Sequence, residues 1–423
     1  MQSDLADRPL AGNSFRISGT PLGRVSSRWH RQVQDGPSER CRSAVRAPPE
    51  PQYPILKNMQ SGRKQPHAGK AGELALGELA VLKQIRARAT QLCPGAAHSG
   101  LRLGIGDDCA LLRVGPGEEL AVTTDLSISG RHFQLDWQTP ESIGHRTLAR
   151  GLSDLAAMGA RPVAAFLSLG LPTELVQNAK GREPWPGKKN WFDRFLDGFF
   201  ALASAFQTPL AGGDLAQSPL AIADIVLVGA VRRGKALLRS GARPGDLLYV
   251  TGTLGGAAAG LARLAQLAAM AHSARPGSKR IAPLRIPGKL QSLLAPHLYP
   301  QPRIAQGLWL AQHGLASAAI DLSDGLSTDL AHLCEESRVA AEVDAVALPV
   351  HSGATLEQAL HGGEDYELLF AATPEARVPR SIAGVSVTCI GRIVRPRKDR
   401  PALALVTVNG TRPLAPRGWE HFS

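Results

Sequence analysis

A chain of 423 residues with a 43% hydrophobic share has the length and apolar content for two globular domains, each with its own core. No run approaches the ~20 apolar residues of a membrane-spanning helix, and Asp4, Asp7 and Arg8 stand where a signal peptide would be apolar, so a cytoplasmic, non-membrane protein is expected. The formal charge of +12 would suggest a nucleic-acid partner, but residues 1–70 carry 12 Lys and Arg against 5 Asp and Glu, while the other 353 carry 36 against 31, so the basicity sits mostly at one end.

Residues 1–70 are rich in Arg, Ser, Pro and Gly and lack periodicity, which predicts a disordered basic extension. Met59 offers an alternative start near its end, and a basic targeting or nucleic-acid arm is a second, weaker reading. From Gly77 the pattern becomes regular. Leu79, Val81, Leu82 and Ile85 suit an amphipathic helix, 119–124 reads as a strand ending at Asp125, and 141–159 as a helix. A strand over 163–171, a helix over 191–206 and a strand over 221–231 complete the first half. The second half opens with a strand over 246–251 that runs into Gly252, Gly255 and Gly256 and a helix over 257–271. Residues 272–302 are expected to be a loop-rich insertion outside the functional pattern, and further strands are expected over 318–322, 340–348, 366–371 and 385–394. The fold class is therefore α/β (α+β), with an N-terminal domain over 71–234 and a C-terminal domain over 235–423.

Five cysteines, Cys41, Cys93, Cys109, Cys334 and Cys389, are widely spaced and form no CxxC pair, so reduced, mostly buried thiols are expected rather than zinc or disulfides. No GxxxxGK[ST] loop or protein-kinase signature is present, and the Gly252 to Gly260 run lacks GxGxxG spacing. Instead, acidic residues stand beside Gly, Ser or Thr at five places: Asp107-Asp108, Thr123-Thr124-Asp125, Ser153-Asp154, Gly213-Asp214 and Asp321-Leu322-Ser323-Asp324. Any one of these is ordinarily a turn or a helix cap. Five in one chain suit magnesium, which prefers oxygen ligands and bridges carboxylates to substrate phosphates. On residue chemistry alone His132 reads as a loop histidine, Trp419 as a packing residue and Arg239 as a surface charge.

The ordered set Gly104-Ile105-Gly106-Asp107-Asp108, Thr124-Asp125, Gly130 with His132-Phe133, 152–160 (LSDLAAMGA), Gly212-Gly213-Asp214, 320–326 (IDLSDGL) and 362–368 (GGEDYEL) resembles the thiamine-monophosphate kinases, from about residue 77 to 422. The resemblance implies the two-domain fold shared with aminoimidazole ribonucleotide synthetase. It also implies a homodimer whose N-terminal domains pair through a β-barrel, with active sites near that interface. It implies ATP as co-substrate, several Mg2+ ions, and in-line transfer of the γ-phosphate to thiamine monophosphate. Asp108, Thr123, Thr124, Asp125, Asp154 and Asp214 would hold metal, joined by Asp321 and Asp324 from the second domain. Asp125, Asp154 and Asp214 would be central to catalysis, and Asp108, Gly213, Asp214, Arg239 and Ser323 would contact ATP. His132, Glu364 and Trp419 would hold the thiamine substrate. The chain departs from the pattern at Arg150-Gly151, where the family usually has an apolar residue and Asn. Two other readings stay open: a sister ATP enzyme with another acceptor, for which Cys41 and Cys93 lack the selenide-enzyme context, and a nucleic-acid binder with an enzyme-like shell.

Overall fold

The computed structural model describes residues 78–92, 100–177, 189–274, 284 and 286–419. The expectations for residues 1–70, Met59, Cys41 and Cys93 lie outside them. No described helix is long and apolar enough to cross a membrane.

The first half runs α1 (Glu78–Leu92), β1 (Leu101–Leu103), β2 (Leu111–Leu112), β3 (Glu118–Ile128), α2 (Pro140–Ala157), β4 (Arg161–Leu171), α3 (Thr173–Val176), α4 (Trp191–Ala205), β5 (Leu210–Gln217) and β6 (Ile222–Arg232). β3, β6, β4 and β5 form a sheet in that order, with β4 and β5 parallel and the other pairs antiparallel. α2 starts where Thr139 caps Ser142 N–H at 3.3 Å and Pro140 presets the first turn. Its buried Leu148, Leu152 and Leu155 share a core with Ile225 and Leu227 of the sheet and with Phe195 and Phe199 of α4. α2 and α4 cross so closely that a methyl on Gly144 would strike the Phe195 carbonyl, and one on Gly198 the Glu141 carbonyl.

The second half contains β7 (Leu247–Thr251), α5 (Gly256–Ala274), a 3-10 turn (Gly288–Leu290), α6 (Gln291–Leu298), α7 (Ile304–His313), β8 (Ala318–Asp321), α8 (Leu326–Ser337), β9 (Ala340–Asp344), α9 (Leu356–His361), β10 (Leu368–Ala372), β11 (Ser381–Ile382), β12 (Val385–Val394), β13 (Leu403–Thr407) and β14 (Gly410–Pro413). Its sheet runs β14-β13-β9-β12-β7-β10-β8, with β11 paired to β12. Leu248, Val250, Ile320, Leu330 and Leu369 are at or near zero exposure in its core. The mixed α/β class is as read from the sequence.

The loop-rich segment 272–302 contains, among its described residues, the 3-10 turn and α6. In α6, Leu294 and Leu298 bury against Leu264 of α5, and His297 is 1% exposed. Of the three thiols among the described residues, two depart from the expected burial. Cys334 is buried, which pushes its pKa up to about 12, while Cys109 and Cys389 are exposed.

Candidate active site

The sheet edge at β3 and one face of α2 build the first wall of a cleft of about 520 Å³. Strand alternation turns Thr123 and Asp125 toward α2 and turns Leu120, Val122, Thr124 and Leu126 outward, where all four are exposed. On α2, Arg146, Arg150 and Asp154 recur at four-residue spacing and so share one face. Thr123 Oγ1 donates to Asp154 Oδ2, and Arg150 Nε donates to Asp125 Oδ1 at 2.8 Å.

The second wall comes from the end of β8 and the 362–367 loop. Buried Ser153 of α2 reaches across and donates to Asp321 Oδ2 at 2.6 Å. Ser323 and Asp324 follow in the turn into α8, whose Asp329 accepts from the N–H groups of Asp324 and Gly325 at 3.1 and 2.9 Å. The loop is laced to this turn by Glu364 N–H to Ser323 O at 2.8 Å and Tyr366 N–H to Leu322 O at 2.9 Å. Glu364 and Tyr366 both have positive φ (67° and 51°), a strained backbone of the kind that collects at binding sites. Asp365 between them points away and accepts from Gly255 N and Ala257 N at 2.6 and 3.0 Å, capping α5. Gly255 itself stands at φ +84°, and a methyl there would strike the Ala359 backbone N of α9, so this turn after β7 needs glycine for close packing.

Charge is arranged in two zones. Burial, then repulsion from Asp321, pushes Asp154 up to about 7 despite the Thr123 hydroxyl, and burial pushes Asp321 upward as well. Asp329 is pushed up to about 8 by burial and by Asp321 and Asp324. Exposed Arg239 is near enough to draw Asp154 and Asp321 partly back down. In the other zone, burial opposes the charge of Glu364, but Arg146, at 2.5 Å, and His297 hold its carboxyl well below the usual range. Arg146 also donates to the His297 carbonyl at 2.6 Å and lies 2.9 Å from its Nδ1. Burial, then Arg146, lowers His297 to about 4, so its ring is neutral.

Of the residues singled out in the sequence, Asp125, His132, Asp154, Asp321, Ser323, Asp324, Glu364 and Trp419 line this one cleft, and Thr123 backs it. Asp108, Thr124, Gly213 and Asp214 do not. Thr124 faces outward and donates to Asp224 Oδ1 at 3.1 Å. Asp108 is exposed in the loop after β1, and Asp214 is exposed on β5. Register aligns Asp125, Ile225, Leu167 and Gly213 in one row across the sheet. The Asp214 backbone is therefore about three strand spacings from Asp125, roughly 14 Å, too far for one ion to touch both side chains in one chain. Among the described residues, no group of three or more His, Cys, Asp or Glu side chains is arranged to hold a metal ion. Asp154 and Asp321 nonetheless fit a hard divalent cation by chemistry, as oxygen donors whose charged forms are disfavoured by burial and by neighbouring carboxylates and only partly relieved by Arg239.

The sequence matches AIR synthase related protein, N-terminal domain, over residues 106–232 and the corresponding C-terminal domain over residues 243–401. It is 36% identical over 364 residues to the thiamine-monophosphate kinase of Escherichia coli strain K12, an alignment spanning 83% of this chain and 99% of that relative. The chain belongs to the thiamine-monophosphate kinase family. Among solved structures of the family, thiamine-monophosphate kinase from Stenotrophomonas maltophilia K279a is 37% identical with a TM-score of 0.62, covering 80% of this chain and 98% of that one. A structure of AaThiL complexed with AMPPCP and TMP is 27% identical with a TM-score of 0.58, covering 84% and 100%.

Sequence reasoning missed Arg146, Arg150 and His297. Arg150 was seen only as a departure from the family pattern, although its spacing from Asp154 was a readable signal. His297 had none, because its neighbours contain Pro296 and Pro300 and it meets Arg146 only through tertiary packing.

Proposed function

We propose that this chain is an ATP-dependent kinase that transfers the γ-phosphate of ATP to the phosphate of thiamine monophosphate, giving thiamine diphosphate and ADP. The observation that carries this reading is the divided cleft, with repelling carboxylates at Asp154 and Asp321 beside the Arg150 guanidinium, Arg146 buried behind it on Glu364, and an exposed Trp419 at the rim. Two anionic substrates need such a division. Phosphoryl transfer rests on positioning and neutralisation of charge more than on covalent help from the protein.

In this reading Asp125, Asp154, Asp321 and Asp324 hold Mg2+, with Thr123 orienting Asp154. The ion, when bound, would neutralise phosphate oxygens and screen repulsion between donor and acceptor. Ser323 and Arg239 contact ATP. His132, Glu364 and Trp419 hold the thiamine moiety, where an aromatic ring and a carboxylate suit a flat, cationic thiazolium. Gly213 and Asp214 at the opposite sheet edge, with Asp108 in the loop after β1, serve ATP and metal across a homodimer interface. The outward face of β3, with Leu120 54%, Val122 64% and Leu126 47% exposed on an edge strand, supports pairing of two chains there.

Purified full-length protein incubated with Mg-ATP and thiamine monophosphate is expected to form thiamine diphosphate and ADP in equal amounts. Product absent under saturating substrates, in folded protein, would overturn the proposal. Turnover of ATP on a different acceptor would move the chain to a sister activity.

A further inference from the structure

The two guanidinium groups on α2 are held very differently. Arg146 has a side chain 5% exposed and binds the His297 carbonyl at 2.6 Å, Glu364 Oε1 at 2.5 Å and the His132 carbonyl at 3.4 Å. It is locked by acceptors from three segments. Arg150, one turn along, is 17% exposed and lines the cleft. Its Nε and one Nη both approach a single oxygen, Asp125 Oδ1, at 2.8 and 2.7 Å. Its other Nη stands 3.7 Å from Glu364 Oε1, beyond hydrogen-bond range. Glu364 already has a closer cation in Arg146. One edge of the Arg150 fork therefore faces the cleft while the other holds Asp125.

This places one residue between the two things the reaction has to bring in. A guanidinium fork matches a phosphate in a two-pronged way, a geometry that the single oxygen of Asp125 does not offer it. Asp125 is one of the carboxylates whose charge is felt at both Asp154 and Asp321. While Arg150 neutralises it, the acidic zone attracts a cation less strongly. If the fork turns to a phosphate, that attraction returns.

We propose that Arg150 receives the phosphate of the acceptor and, in doing so, releases Asp125 to a divalent cation, so that acceptor binding and cation binding reinforce each other through this one side chain. The inference rests on the kinase reading for the identity of the acceptor. Its cation arm does not. The coupling is reciprocal, as any equilibrium linkage between two sites has to be.

The test is Arg150→Leu measured on the full chain by two independent readouts. With Mn2+ alone and no nucleotide, the free Asp125 is expected to tighten binding of the ion about fivefold or more relative to wild type. In steady-state kinetics, KM for thiamine monophosphate is expected to rise about tenfold or more while KM for ATP stays within about twofold. Tighter cation binding together with weaker acceptor binding is the signature, because a merely structural role would weaken both. Unchanged values, or losses in both, overturn the proposal. Should Arg150→Leu fail to fold, Arg150→Lys carries the test. Its ammonium lacks the fork, so the same pair of opposite shifts is expected at smaller size, and their absence overturns the proposal. Inactive wild-type protein would instead count against the kinase reading and leave the Mn2+ comparison intact.

Discussion

Acidification should destabilise this protein through His297, and the size of the effect follows from where the ring sits. It is 1% exposed beside Arg146, and its pKa falls from 6.5 to about 4. In the unfolded chain the imidazole takes a proton near 6.5, whereas in the folded protein it stays neutral until about pH 4. Between those values the unfolded state binds more protons, so stability contributed by the neutral ring is complete above 6.5 and declines as pH drops toward 4. At about 1.36 kcal/mol per pKa unit the whole interval is worth roughly 3 kcal/mol, and about 2 kcal/mol of it is lost by pH 5. Asp154, Asp329 and Asp365, raised to about 7, 8 and 7, act oppositely, since their folded forms take up protons first. The raw acid response therefore mixes both signs, and the comparison with His297→Gln isolates the histidine. Urea unfolding at pH 7.5 and 5.0 should show the wild type losing about 2 kcal/mol more than the variant across that range. Parallel losses, within about 0.5 kcal/mol, would refute the account of a buried neutral imidazole.

Three further outcomes are expected. Asp154→Asn should cut turnover at least about a hundredfold while keeping or raising the melting temperature, because a neutral amide replaces a carboxylate repelled by Asp321; near-normal turnover in the folded variant would remove Asp154 from the metal site. Gly213→Ala should cost about 3 kcal/mol, read by thermal or urea unfolding, because Gly213 has φ of +149° and a methyl there would overlap the Leu167 carbonyl. Unaltered stability would mean β5 is not fixed against β4 as described. If the proposed pairing holds, the wild type sediments as a dimer and Leu120→Asp combined with Val122→Asp should sediment as a monomer, whereas a variant that still sediments as a dimer would exclude the outward face of β3 as the interface.

Much of the scaffold was legible. The strand ending at Asp125 and the helix through Ser153-Asp154 declared themselves by period; the structure carries the strand on to Ile128 in β3 and sets the helix at Pro140–Ala157 in α2, two residues shorter at its end than the expected 159. β5 was not foreseen, because Leu210–Gln217 contains two adjacent glycines that disguise an edge strand as a turn. α7 and α8 were also missed. The site divides the same way. Asp154, Asp321 and Glu364 could be read because acidic residues beside Gly and Ser stand out in sequence, whereas the separation of Asp214 from Asp125 depends on strand order, which residue spacing does not encode. Arg146 and His297 meet across 151 positions of chain, and only packing brings them together.

The four-residue rhythm of Arg146, Arg150 and Asp154 makes the length of α2 as critical as its composition. Each residue turns the helix by about 100°, so one residue gained or lost between 147 and 153 would swing either the cationic or the anionic group out of the cleft. The glycine crossings with α4 leave the rod no room to rewind in compensation. Natural drift in this segment should accordingly proceed by replacement, with changes in chain length diverted to the stretches that α2 does not touch.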